Sequence, residues 1–222
     1  MRRICFAIFL VFGFMIANAQ RIDLSNKKSS ITPGIKAGIN FADYFRYKFP
    51  SGTEPGMDWS ISFHSGVTLN IPLQKRFSLQ PELLYTGAGS KLIATKMIGS
   101  ALTVYHYEQR YHYISIPFVL QHRNEHGFLI ETGPQPAYLL SAERIDSNHT
   151  KRNDTNNFNK FDLSWAFGIG YSSQKNWGVA IRYNYGLTSA IPGKNNLDFP
   201  VGSKLQNSVV QIGINLHFGC KN

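Results

Sequence analysis

The 222-residue sequence predicts an all-β fold: one eight-stranded antiparallel transmembrane β-barrel with short periplasmic turns and long extracellular loops. Three observations carry that reading. Segments of period-two alternation put large apolar side chains on one face and small or polar ones on the other. The connections between these segments alternate between long and short. An export leader stands at the N-terminus.

The alternation is cleanest over residues 161–187. Phe161, Leu163, Trp165, Phe167, Ile169 and Tyr171 share one face, opposed by Asp162, Ser164, Ala166, Gly168 and Gly170. After a polar turn, Trp177, Val179, Ile181, Tyr183, Tyr185 and Leu187 oppose Gly178, Ala180, Arg182, Asn184 and Gly186. Two is the side-chain period of a strand, so this stretch is a β-hairpin. A secreted barrel of the lipocalin kind would have to pack the bulky face inside an eight-stranded lumen while a glycine-rich face met water. A membrane barrel turns the bulky face to lipid and keeps the small, polar face inside. The crowding of one face therefore favours the membrane, with Ile181 on lipid, Ala180 and Arg182 inside, and Trp177 at the periplasmic interface.

Residues 1–19 combine Arg2 and Arg3, an apolar run broken only by Gly13, and Ala17-Asn18-Ala19. A positive start, a short apolar region and an A-x-A site define a signal peptide cut between Ala19 and Gln20. The apolar run is shorter than the ~20 residues of a spanning helix. Removing those 19 residues leaves 203, with 21 Lys and Arg against 13 Asp and Glu, a net charge of +8. That length suits one domain, residues 33–222, after a polar lead at 20–32. The cations are scattered or sit in loops, so acidic headgroups at a membrane rim are the expected counterpart, and nucleic acid is not. Loss of Cys5 with the leader leaves Cys220 alone, which excludes an intrachain disulfide.

The strands then follow in order. The first opens at Pro33, with Ile35, Ala37, Ile39 and Phe41 on one face and Lys36, Gly38 and Asn40 on the other. A loop at residues 44–58 contains Pro50, Gly52, Pro55 and Gly56. The second strand, residues 59–73, sets Trp59, Ile61, Phe63, Val67, Leu69 and Ile71 against Ser60, Ser62, His64, Gly66, Thr68 and Asn70. A tight connection leads to the third, where Phe77, Leu79, Leu83 and Tyr85 oppose Ser78, Gln80 and Glu82. Pro81 cannot donate to the ladder, so a bulge or an unpaired position is expected there. Residues 86–102 read as a glycine-containing connection. The fourth strand, 103–121, ends with Ile114, Ile116, Phe118 and Leu120 on one face, but His106, Glu108, Arg110 and His112 share their parity. Either a bulge flips the register, or the first half projects beyond the membrane. After a turn at 123–126, the fifth strand sets Phe128, Ile130, Thr132, Tyr138 and Leu140 against Leu129, Glu131, Gly133 and Gln135. A polar loop at 141–160 precedes the hairpin, and a long connection at 189–207 follows it. The eighth strand opposes Val210, Ile212, Ile214, Leu216 and Phe218 to Gln211, Gly213, Asn215 and His217.

The seven connections thus run long, short, long, short, long, short, long. Bacterial outer-membrane barrels show that asymmetry, with even strand number and both termini in the periplasm. On the inner face lie Lys36, His64, Glu82, Glu131 and Arg182, each on a different strand. Buried charges must be paired, so two carboxylates and two fixed cations are expected to form one network. An eight-stranded barrel is just wide enough for side chains to fill, which predicts a plugged interior without a wide aqueous pore. Trp59, Tyr85, Trp165, Tyr171, Trp177 and Tyr185 fall near strand ends, as do Tyr105, Tyr107, Tyr111 and Tyr183, and read as aromatic girdles at headgroup depth.

No catalytic, cofactor or metal site is expected. His106, His112, His122 and His126 match no standard ligand spacing and have no cysteine partner. Glu82, Glu131 and Arg182 sit mid-strand, where a filled barrel admits no substrate, so an enzyme of this kind would have to build its site from loops. The glycine doublet at Gly168 and Gly170 lies within a strand and lacks the helix that a phosphate loop needs.

Several segments resemble the PorT-like outer-membrane β-barrel domain family common in Bacteroidetes. They are Gly34-Ile35-Lys36-Ala37-Gly38-Ile39-Asn40, Phe77-Ser78-Leu79-Gln80-Pro81-Glu82-Leu83-Leu84-Tyr85, Ser115-Ile116-Pro117, Glu131-Thr132-Gly133-Pro134, Arg182-Tyr183-Asn184-Tyr185-Gly186-Leu187 and Gln211-Ile212-Gly213-Ile214. The resemblance covers nearly the whole mature chain and implies an eight-stranded outer-membrane barrel without catalytic motif or cofactor. The chain departs from it where Gly219-Cys220-Lys221-Asn222 follow Phe218, since barrels of this kind commonly finish on an aromatic residue. The expected role is structural, binding or transport-accessory. The expected partners are outer-membrane lipid, the barrel-insertion machinery and another envelope protein reached through the long loops.

Overall fold

The computed structural model describes residues 31–48, 56–73, 75–98, 101–146, 150–192 and 204–218. The leader, its cleavage site at Ala19 and Gln20, and most of the polar lead lie outside them.

The alternating segments form ten strands: β1 (Thr32–Lys48), β2 (Gly56–Pro72), β3 (Phe77–Ile98), β4 (Ala101–Ser115), β5 (Phe118–Arg123), β6 (Phe128–Asp146), β7 (Lys151–Asn153), β8 (Phe161–Ser172), β9 (Trp177–Gly186) and β10 (Lys204–His217). All belong to one antiparallel sheet, ordered β2-β1-β10-β9-β8-β6-β4-β3, and the pairing of β2 with β3 closes it into a ring. Closure gives each strand of the ring hydrogen-bonded neighbours on both sides, and short β7 lies off it, paired with β6 alone.

Ten strands replace the expected eight for two local reasons. The strand expected over residues 103–121 is interrupted at Ile116 and Pro117, and β4 and β5 lie end to end, each pairing with both β3 and β6. Pro117 has no N–H to give to the ladder. The wall is held there by the Glu82 N–H donating to the Pro117 carbonyl at 2.9 Å and the Ile116 N–H to that of Pro136 at 2.8 Å. Pro81 itself stays in register opposite Phe118, so the irregularity expected at Pro81 falls on the facing strand. The second reason is β7, a short strand within the expected 141–160 loop that pairs with the far end of β6.

Most strands also run further than expected at the loop end. The connection expected at 86–102 is a paired ladder, from Leu84 opposite Ser115 to Ile98 opposite Ala101. β1 continues to Lys48, β6 to Asp146, and β10 begins at Lys204. The parity of β4 never flips: Gln109, Tyr111, Tyr113 and Ser115 are all buried, and Arg110 is exposed and donates through Nε to Glu108 at 2.9 Å. The polar outward residues therefore mark a projecting half-strand, and the register break lies across on β6. There Leu140 is the extra residue between Leu139 opposite Tyr113 and Ser141 opposite His112. This bulge turns Leu139 inward, Leu140 outward and Ala142 inward again. Tyr111, assigned above to the girdle, is buried in the interior because it shares the parity of Ser115 and Val119.

The opposite end is tight. Between β8 and β9 the chain reverses with Asn176 at φ 65°, a left-handed position that asparagine tolerates better than most residues. Outside, Ile61, Phe63, Ile130, Phe167, Ile169, Ile181 and Ile214 are each at least half exposed. Inside, polar residues dominate the buried set. The small-and-polar face is the interior.

Candidate functional site: a charged lumen beneath an apolar cap

The lumen nearest the short turns is filled by side chains from five strands. Lys36 of β1, Glu82 of β3, Glu131 of β6 and Arg182 of β9 are all almost wholly buried. Arg182 donates through its two terminal nitrogens to the two oxygens of Glu82, both at 2.8 Å, and through Nε to Glu131 Oε1 at 2.7 Å. Lys36 Nζ lies 3.2 Å from Glu82 Oε2. Gln80 and Gln121 complete the set by donating to Glu82 at 2.8 Å and to Glu131 at 3.0 Å. Three places in the ring separate β9 from β3 in either direction, so the Arg182–Glu82 pair crosses the full width of the lumen.

A glycine makes the Glu131–Arg182 contact possible. Glu131, Gly168 and Arg182 stand in one row across β6, β8 and β9. A Cβ on Gly168 would lie 2.7 Å from Glu131 Cγ and Oε1, so only glycine leaves the carboxylate room to reach over it to Arg182. His64, expected in the same network, is fully buried but stands apart from the charges. Its Nδ1 is 2.6 Å from Asn40 Oδ1, and Gln211 donates to that same oxygen at 3.2 Å. The structure thus brings four of the five expected interior residues into direct contact and puts His64 in a neutral neighbouring cluster. The neutral partners Gln80, Gln121, Asn40 and Gln211 were not singled out from the sequence. Their inward parity was the available signal, but an uncharged amide on a strand carries no sign that it must find a partner.

At the loop end the interior turns apolar. Tyr111, Tyr113, Leu139, Ala142, Leu205 and Val209 face inward from the walls, and Phe158, Ala190 and Ile191 fold down from the connecting segments to pack among them. Phe158 meets Tyr111 edge to face at 4.9 Å. Backbone bonds fasten the cap: Asn159 N–H to the Ala190 carbonyl at 2.8 Å, and Ala190 N–H to that of Leu205 at 2.7 Å. Thr155, at the head of a short 3-10 turn, accepts from the Ala142 N–H through its hydroxyl at 2.9 Å.

The expected girdle residues divide by height. Tyr171 and Trp177 flank the β8–β9 turn, exposed, with ring centres 6.1 Å apart, and Phe128 stands against Tyr171. Trp59 is half exposed, whereas Tyr85, Trp165 and Tyr185 are partly covered further up their strands. Trp165 donates through Nε1 to Thr132 at 2.9 Å, and the Tyr85 hydroxyl meets His112 Nδ1. His122 packs against Phe77 with its ring tilted, and among the described residues no three His, Cys, Asp or Glu side chains gather as a metal site.

A closed antiparallel ring with an apolar outer band and a polar, ion-paired interior is a bacterial outer-membrane β-barrel. The sequence family described as outer membrane protein beta-barrel domain matches residues 17–191, and this chain belongs to it. Among solved structures, the chain is similar to Ail, the attachment invasion locus protein of Yersinia pestis (TM-score 0.43, 11% identity, covering 85% of this chain and 99% of that one). It is also similar to Neisserial surface protein A (0.46, 10%, 84% and 97%) and to the outer membrane protein OprG from Pseudomonas aeruginosa (0.45, 11%, 86% and 98%). No curated protein matches the sequence.

Proposed function

We propose that this outer-membrane barrel is of the PorT-like kind and acts as a closed-lumen binding or structural protein, neither a channel nor an enzyme. One observation carries the reading: the buried Arg182–Glu82 pair spans the lumen from wall to wall, braced by Lys36 and Glu131. An ion or solute crossing here would have to separate a buried bidentate pair and leave both charges uncompensated, which a low-dielectric interior opposes. The apolar cap closes the loop end independently. With the bore shut, the surfaces left to act are the outer wall and the loop-end rim. The short turns and both termini face the periplasm, where the insertion machinery delivers the chain. The rim faces outward and offers itself to another envelope protein, while lipid covers the wall and Tyr171 and Trp177 anchor the inner headgroup layer.

The test is electrical. Purified protein reconstituted into planar lipid bilayers is expected to give no stable conductance steps. A persistent, ohmic single-channel current from the unmodified chain would overturn the closed-lumen reading.

A further inference from the structure

Between the charged layer and the apolar cap lies a cavity of about 30 Å³, large enough to hold a water-sized occupant. Its lining holds five buried polar atoms without a hydrogen-bond partner: Thr86 Oγ1, Ser115 Oγ, Gln135 Oε1 and both Oδ1 and Nδ2 of Asn184. All four residues are more than nine-tenths buried. Such orphans are rare in a native interior and call for an occupant. The only charged residue in the lining is Asp162, also buried. Thr188 Oγ1 donates to its Oδ1 at 2.5 Å and Asn207 Nδ2 to its Oδ2 at 2.8 Å, both neutral groups, and each carboxylate oxygen keeps a free lone pair.

Among the described residues the buried charged side chains are Lys36, Arg182, Glu82, Glu131 and Asp162. The two cations are engaged by the two glutamates, which leaves Asp162, on this cavity, as the one of these five without an opposite charge against it. We infer that the cavity is a binding site for one desolvated monovalent cation of sodium's size, with Asp162 as counter-ion and the oxygens of Thr86, Ser115, Gln135 and Asn184 as ligands. Hard cations take oxygen ligands, and four of the five orphans are oxygens. The fifth, Asn184 Nδ2, belongs to the same amide and turns away when its oxygen turns in. A single water would meet some of the orphans but leave the carboxylate uncompensated, and a divalent ion would leave an excess positive charge in its place.

The experiment compares the thermal unfolding midpoint of the full mature barrel in detergent, in sodium chloride and in choline chloride at equal ionic strength. Sodium is expected to raise the midpoint saturably and choline to leave it unchanged. Asp162→Asn, nearly isosteric, is expected to abolish the difference. Ser115→Ala, which removes one oxygen with little change of volume, is expected to raise the half-saturating sodium concentration about tenfold. Crystals soaked in thallium(I) should show an anomalous peak within reach of Asp162. Equal midpoints in both salts, an undiminished sodium response in Asp162→Asn, or non-anomalous density for a water only would overturn the site.

Discussion

Arg182 holds three charge-assisted hydrogen bonds to two glutamates on two other strands. Its planar fork suits the bidentate grip on Glu82, which a lysine could not reproduce. Arg182→Met fills similar space but leaves two carboxylates facing Lys36 alone, so we expect a loss of about 3–5 kcal/mol, measured as urea unfolding of protein folded into liposomes. Adding Glu131→Gln should recover part of the loss, because one uncompensated charge is removed. The members of this cluster were legible in the sequence, since Lys36, Glu82, Glu131 and Arg182 all occupy the small-and-polar face. Their contacts were not. That Gly168 is the gap through which Glu131 reaches Arg182 depends on the cross-strand register, which side-chain alternation does not specify. Asp162 illustrates the same limit: its inward parity was visible, but the cavity beside it exists only once five other strands have closed around it.

At the scale of the element, the period-two pattern located strands well where they touch lipid and poorly beyond. Over Phe161–Ser172 and Trp177–Gly186 the expected and observed limits nearly coincide, because each outward position there is large and apolar. In β3 and β4 the ladder continues well past Tyr85, but the outward residues become Gly87, Gly89 and Lys91, and on β4 Glu108 and Arg110. The polar outer face erased the signal while the hydrogen bonding went on. Hydrophobic alternation in such a chain reports lipid contact rather than strand extent. Ile181, half exposed at mid-strand in β9, belongs to the lipid-facing part. Ile181→Arg is therefore expected to weaken folding into bilayers by about 2–4 kcal/mol, read from the urea midpoint in liposomes.

For the whole molecule, closure is the property with the widest consequences. With β2 hydrogen-bonded to β3, the described strands of the ring leave no end strand from which it can unzip. The folded barrel should therefore survive dodecyl sulfate without heating and migrate differently in unboiled and boiled samples. Equal mobility of the two, together with recovery in the soluble periplasmic fraction, would contradict the membrane-barrel fold. The sequence by itself determined the all-β class, the direction of the bulky face and the charged residues enclosed, because each follows from side-chain character and a period of two. Only the tertiary structure decided that the expected fourth strand breaks at Pro117, that Tyr111 turns inward, that Phe158 and Ile191 cap the bore, and that Arg182 meets Glu82 across it. Those outcomes depend on which strands become neighbours, on register and on bulges, and these are set by closing the ring rather than by any one segment.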